Sequence, residues 1–184
     1  MRGRQLTFWM RLVPVFALTL LFSACASLPE DLQQEHSQGW QQPEETFLGR
    51  LVAETAPEDP TLTGVELLAD PKSAFTTRFA IANLAETSLD LQYYLWKGDL
   101  AGGLLMWAAL DAADRGVRVR FLIDDIYHSG RDDVYALLNT HENFEVRIFN
   151  PRANRGAGRY FNYALNRKHL NHRMHNKIFL ADNA

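Results

Sequence analysis

The sequence contains a single cysteine, Cys25, so no intramolecular disulfide can form within this chain. The apolar stretch at residues 12–24 has only 13 residues, which is too short for a helix to span a bilayer. Stability must therefore come from a packed core. With 184 residues, 47% of them hydrophobic, the chain can build one such core, but not a second full domain beside its N-terminal segments.

The first 25 residues have the pattern of a targeting segment. Three arginines precede the apolar stretch, which ends in small residues directly before Cys25. This arrangement resembles the lipobox of bacterial lipoproteins, in which the cysteine becomes the lipidated N-terminus. We therefore expect residues 1–24 to be a lipoprotein signal peptide and Cys25 to carry a lipid anchor in the bacterial cell envelope, with Ala26 favouring the outer membrane. Ordinary signal-peptidase cleavage and an uncleaved anchor are the alternatives.

Charges of opposite sign are segregated along the chain. Residues 25–71 contain ten acidic residues and one basic residue, whereas residues 147–177 contain eight Lys or Arg and no Asp or Glu. We expect residues 25–62 to form an acidic spacer and lead-in, with a short helix around residues 46–54. The basic segment favours an anionic partner, although a solvated basic face would give the same composition.

Strand and helix patterns alternate from residue 63 onwards. Strands are predicted at residues 65–70, 88–96, 117–125 and 144–150, and helices at residues 71–85, 99–116 and 132–139. This order predicts an α/β domain over residues 63–184, with a mixed or mostly parallel sheet flanked by helices. Functional groups of such domains tend to lie at strand ends and in the loops that follow them.

The last predicted strand carries a histidine and a lysine at a spacing of two. His175 and Lys177 should project to the same side of this strand, and Arg173 joins them if the strand begins that early. An imidazole beside an ammonium group suits a phosphate, because lysine supplies charge and histidine can act as nucleophile or proton carrier. Asp182 has the opposite parity, so we expect a supporting role at the strand end. A surface strand without chemistry would fit the same spacing.

The pattern H-x-K-x(4)-D, from His175 to Asp182, resembles the signature of the phospholipase D superfamily. The segments "LDLQYYLW", "VRVRFLIDD" and "IFNP" are similar to strands that precede the first such motif in bacterial cardiolipin synthases and related lipoproteins. The resemblance implies two similar halves that share one site. It implies that His175 attacks phosphorus to form a phosphohistidine, that Lys177 binds the phosphate, and that Asp182 is the motif aspartate. It implies no metal and no other cofactor.

A second H-x-K-x(4)-D motif is missing from the sequence. We therefore expect an N-terminal fragment, whose phospholipase D-like half-domain is incomplete after the motif and inactive alone; a single-motif subunit that dimerises is the alternative. The expected activity of the full-length protein is phosphatidyl transfer or hydrolysis on phospholipids at a membrane surface, with cardiolipin synthesis favoured. A nuclease of the same superfamily and a non-catalytic lipid-binding remnant are the other hypotheses, and nucleic acid is the less favoured partner.

Two pairs of residues near strand ends, one of tyrosines and one of aspartates, each have two possible roles. Tyr93 or Tyr94 could line the site, but an aromatic packed under a helix is the favoured interpretation. Asp124 and Asp125 could be metal ligands, but a strand-end turn or helix cap is favoured because no His or Glu lies near them in sequence. The isolated His128 is predicted to have no function.

Overall fold

The computed structural model of this protein describes residues 36–59, 61–128, 130–152 and 171–184. The predicted leader, Cys25 and residues 153–170 of the basic segment lie outside these ranges. Chain contacts divide the protein into two units, and the fold below belongs to the unit formed by residues 35–150 and 173–184.

This unit is built on a four-stranded mixed sheet. Its strands are β1 (Ser88–Tyr93), β2 (Arg118–Asp124), β3 (Phe144–Phe149) and β4 (Lys177–Ala181), in the order β3-β2-β1-β4. The first three strands run parallel, and β4 pairs antiparallel to β1. The predicted α/β class with a mixed sheet is confirmed.

Four helices accompany the sheet, and each was predicted from the sequence to within about a turn. They are α1 (Phe47–Thr55), α2 (Pro71–Leu84), α3 (Leu100–Asp114) and α4 (Asp132–Leu138). The side chains of Thr46, Asp70 and Asp99 accept hydrogen bonds from the first turns of α1, α2 and α3. After α3 the chain turns at Gly116, whose φ of 94° is readily adopted only by glycine.

The core lies between one face of the sheet and the helices. Alternate strand residues such as Leu91, Phe121 and Phe144 are buried, as the two-residue period of strands requires. The buried side of α3 consists of alanines (Ala108, Ala109, Ala112, Ala113), and these small side chains allow close packing against β2. Leu48 of α1 also belongs to this core, so packing begins within the predicted lead-in.

The strand predicted at residues 65–70 is wrong. Residues 62–69 have no regular secondary structure, and the side chains of Val65 and Leu67 are 89% and 86% exposed. Apolar residues alone do not make a strand, because the backbone also needs a neighbouring strand, and this segment pairs with none of the four. The prediction for residues 88–96 was too long at its C-terminal end, since β1 ends at Tyr93.

Across the described ranges we find no helix that is long and apolar enough to cross a membrane.

Candidate active site

The H-x-K segment lies at the carboxyl ends of the central parallel strands. Lys177, the first residue of β4, is paired with Tyr93, the last residue of β1. Tyr93 is paired in turn with Ile123 near the end of β2. The antiparallel direction of β4 therefore brings the start of the motif to the sheet edge where functional groups of parallel sheets usually collect.

His175 and Lys177 form one exposed pair. The Lys177 Nζ lies 3.0 Å from Nδ1 and 3.1 Å from Nε2 of the His175 ring, and 3.0 Å from the His175 carbonyl oxygen. Both side chains are accessible to solvent. The spacing of two in the sequence thus places an ammonium group directly beside the imidazole, although His175 itself precedes the first residue of β4.

Tyr94 is the third side chain at this position. Its ring centroid lies 4.8 Å from that of His175 and 5.6 Å from that of Tyr127, and the Lys177 Nζ is 5.7 Å from its centre. Desolvation, and then a hydrogen bond with Tyr127, raise the pKa of Tyr94 above its ordinary value. Tyr93 packs at 4.8 Å against Trp96, which lies in the segment before α3. The favoured interpretation of an aromatic packed under a helix is wrong for Tyr94, whose ring lies beside His175.

The backbone on both sides of His175 is anchored. On one side, the Met174 N–H donates to Asp124 Oδ2 over 2.9 Å. On the other side, the Asn176 carbonyl accepts from the Tyr94 N–H at 3.2 Å, and the Asn176 side chain donates to Gln92 at 3.2 Å. The histidine therefore sits between two fixed residues.

Asp124 has more partners than a helix cap requires. Its carboxylate is completely buried and accepts a 2.8 Å hydrogen bond from the Ile126 N–H, which confirms the predicted cap at the end of β2. The same carboxylate pairs with Arg173, whose Nη1 is 3.0 Å from Oδ1. This contact could not be predicted from the sequence, because the two residues are 49 positions apart and no local pattern connects them.

Arg173 does not point freely into solvent. Its side chain is 10% exposed and donates to Asp124 and, at 3.4 Å, to the Asn150 carbonyl. The predicted contact between Arg173 and a substrate phosphate stays a prediction.

Asp182 lies at the opposite end of β4 from the His175–Lys177 pair. It is completely buried, and its carboxylate accepts from the backbone N–H groups of Glu86, Thr87 and Ser88 and from the Thr87 hydroxyl, at 2.8 to 3.0 Å. These bonds tie the motif to the loop between α2 and β1. Its assignment as a catalytic residue stays a prediction.

His128 is buried in a second cluster that the sequence did not indicate. Its Nε2 accepts a 3.3 Å hydrogen bond from the Trp96 N–H, and its Nδ1 contacts the Tyr135 hydroxyl. Burial raises the pKa of Tyr135 to about 12. These contacts connect the segment after β1 to α4.

Relatives of this chain include cardiolipin synthases. It is 45% identical over 125 residues to cardiolipin synthase C of Escherichia coli strain K12, covering 68% of this chain and 26% of that protein. It is 36% identical over 178 residues to an uncharacterized protein of Helicobacter pylori strain 26695, covering 95% and 35%. A cardiolipin synthase of Clostridium perfringens strain 13 is 29% identical over 119 residues, covering 64% and 23%. These similarities support a phospholipase D-like family with phospholipid-modifying, phosphatidyltransferase-type members.

The chain spans only about a quarter to a third of the length of these relatives. No family model matches it. A solved chain of the archaeal chromatin protein TrmBL2 aligns with 55% of this chain and 40% of its own at a TM-score of 0.36 and 18% identity, and we draw nothing from that likeness.

Proposed function

We propose that the full-length protein is a phospholipase D-like phosphatidyltransferase that acts on phospholipids, with cardiolipin synthesis as its reaction. The observation that carries this proposal is the exposed His175–Lys177 pair, with the Lys177 Nζ within 3.1 Å of both ring nitrogens. The similarity to cardiolipin synthases supports the choice of phospholipids.

In the proposed reaction, a nitrogen of His175 attacks the phosphorus of a phosphodiester. A P–N bond forms, the P–O bond to the headgroup alcohol breaks, and the leaving oxygen takes a proton from the acid of the second motif. The hydroxyl of an acceptor lipid then attacks the phosphohistidine, so that a new P–O bond forms, the P–N bond breaks and the hydroxyl proton passes to that same group. Lys177 balances the negative charge on the phosphoryl oxygens throughout.

The proposed chemistry needs a second histidine and lysine. Only one H-x-K-x(4)-D motif is present here, so the partner groups come from the rest of a longer protein or from a second copy of this chain. A lipid anchor at Cys25 would hold this site at a membrane surface, where its substrates reside.

Substrate choice is tested with the purified full-length protein on vesicles of phosphatidylglycerol and, separately, on single- and double-stranded DNA. We expect cardiolipin and glycerol from the vesicles and no DNA cleavage. H175A should lose at least 10³-fold of the lipid activity, because the nucleophile is gone, whereas the exposed His36→Ala should retain it. DNA cleavage that depends on His175, without lipid turnover, would favour the nuclease hypothesis instead.

A further inference from the structure

We propose that Asp124 is a positioning residue that fixes His175 for attack on phosphorus, through the backbone that precedes the motif. The inference rests on the proposed role of His175 as nucleophile. It concerns a carboxylate 51 positions away from that histidine, at the end of another strand.

The Asp124 carboxylate joins two segments of the chain, and we call its three hydrogen bonds the Asp124 clamp. Oδ1 accepts from the Ile126 N–H at 2.8 Å and from Arg173 at 3.0 Å, while Oδ2 accepts from the Met174 N–H at 2.9 Å. One fully buried side chain therefore ties the end of β2 to the two residues directly before His175. A cap of the turn at residues 125–127 alone would need only the bond to Ile126.

The imidazole itself has little else to hold it. It is exposed, and its contacts in the described part of the protein are with Lys177 and the ring of Tyr94, which are both partly accessible. Beyond these two contacts, its direction depends on the backbone at residues 174–176. Asn176 is held by β1, and Met174 is held by Asp124, so removal of the Asp124 clamp releases one of the two anchors.

Electrostatics add to the hydrogen bonds. The side chains of Asp124 and Arg173 are 0% and 10% exposed, so solvent screens the attraction between their charges only weakly. An asparagine at residue 124 would keep the volume but would supply one acceptor oxygen where there are now two. Its NH₂ group would face either the Met174 N–H or the Arg173 guanidinium, and neither can accept a hydrogen bond.

The test compares D124N with the matched control D90N in the full-length protein. Asp90 is also a poorly exposed strand carboxylate that pairs with an arginine, Arg120. It lies on β1, four residues before Tyr94, and it makes no hydrogen bond to residues 173–177 among those described here. The first measurement is amide hydrogen exchange, followed by mass spectrometry on a peptide that begins several residues before Met174 and extends to residue 177. We expect at least tenfold faster exchange of the Met174 amide in D124N and no change at this peptide in D90N.

The second measurement is the single-turnover rate constant of phosphoenzyme formation with phosphatidylglycerol. The burst amplitude is recorded separately, because it reports how much of the protein is folded and active. We expect D124N to lower this rate about 10²-fold, because misplacement of a reacting group by about 1 Å has a cost of that size, with KM nearly unchanged. A residue that only stabilises the fold would lower the amplitude and leave the rate constant as it is.

A second variant keeps the proposal testable if D124N does not fold. R173Q removes the ion pair between Arg173 and Asp124 and leaves the hydrogen bond from the Met174 N–H. The single-turnover rate should therefore fall about tenfold with KM unchanged. A raised KM with an unchanged rate would instead make Arg173 a phosphate ligand and would count against the clamp.

The outcomes separate this proposal from the proposed function. Unchanged exchange at residue 174 in D124N overturns the clamp, whatever the activity. Faster exchange with an unchanged single-turnover rate overturns the positioning role. If wild-type protein forms no phosphoenzyme while the exchange result is as expected, the proposed function fails and the positioning role for this chemistry fails with it, while the clamp as a structural feature stands.

Discussion

The residues proposed to react and those proposed to support them differ in their surroundings. His175 and Lys177 are exposed, as groups that meet a substrate must be, whereas Asp182 is completely buried. Asp124, which holds the segment just before His175, is buried as well. In the proposed mechanism, an exposed side chain reacts while buried carboxylates hold the chain around it, and each group can be tested separately.

Tyr94 provides the first test at the scale of single residues. Its ring packs against His175, so Tyr94→Ala should lower kcat about tenfold by loosening the imidazole, while Tyr94→Phe keeps the ring and should retain most of the activity. Steady-state kinetics on phosphatidylglycerol vesicles measure both. A Phe variant as poor as the Ala variant would show that the hydroxyl, and its hydrogen bond with Tyr127, is the part that matters.

Asp182 provides a test of stability. Replacement by Asn removes an acceptor oxygen from a buried carboxylate with four donors, so the free energy of unfolding should fall by about 2 kcal/mol. The φ of 54° is no obstacle, since asparagine tolerates this region as well as aspartate does. Urea denaturation measures the change, and the exposed Asp133→Asn should stay within about 0.5 kcal/mol of wild type. Equal stability of D182N and wild type would contradict the structural role.

The sequence was sufficient to find His175 and Lys177, because a spacing of two on a strand determines which side chains are neighbours. It was not sufficient for Tyr94 or for the partners of Asp124. Those contacts depend on how strands far apart in sequence are ordered in the sheet, and no local pattern encodes that order. Asp124 was correctly predicted as a cap, which is a local interaction, and its bond to Met174 across 50 positions was missed.

For helices and strands too, interactions between neighbours in the sequence were predictable and contacts between distant segments were not. The helices were predicted because their caps and periodicity are local, as in α3, which begins after Asp99 and is followed by Gly116. The strand at residues 65–70 was wrong because strands need partners. The segment has the composition of a strand and no place in the sheet.

Two adjacent glycines in α3 give a matched test of how this helix begins. A Cβ on Gly102 would lie 1.9 Å from the Lys97 carbonyl oxygen, whereas a Cβ on Gly103 would meet nothing within 4 Å. We expect Gly102→Ala to lower the free energy of unfolding by about 1–3 kcal/mol, because the turn before α3 must shift. Gly103→Ala should raise it by about 0.5–1 kcal/mol through helix propensity.

Thermal or urea unfolding of the two alanine variants measures the difference. The turn before α3 leads from Trp96, whose side chain packs on Tyr93, so G102A should also alter the near-ultraviolet circular dichroism of the tryptophans. Similar stability of both variants would show that the segment at residues 96–99 is not held as described.

At the scale of the whole molecule, the unit described here presents one histidine–lysine pair at one sheet edge. The relatives are longer, since the matched part of this chain covers about a quarter to a third of each, and they include cardiolipin synthases. From the sequence motif we predicted the family, which the similarity to cardiolipin synthases supports, and a second motif, which stays a prediction.

In the proposed function, His175 of the full-length protein carries the phosphatidyl group during turnover. The most direct measurement is peptide mass spectrometry of protein mixed with phosphatidylglycerol vesicles and quenched in alkali within a few turnovers, since a phosphohistidine survives alkaline conditions. We predict an adduct on the peptide that contains His175, with the mass of the phosphatidyl group or of the glycerophosphoryl group left after alkali removes the acyl chains, and no adduct in H175A. Continued lipid turnover with the adduct on another residue, or with no adduct at all, would contradict it.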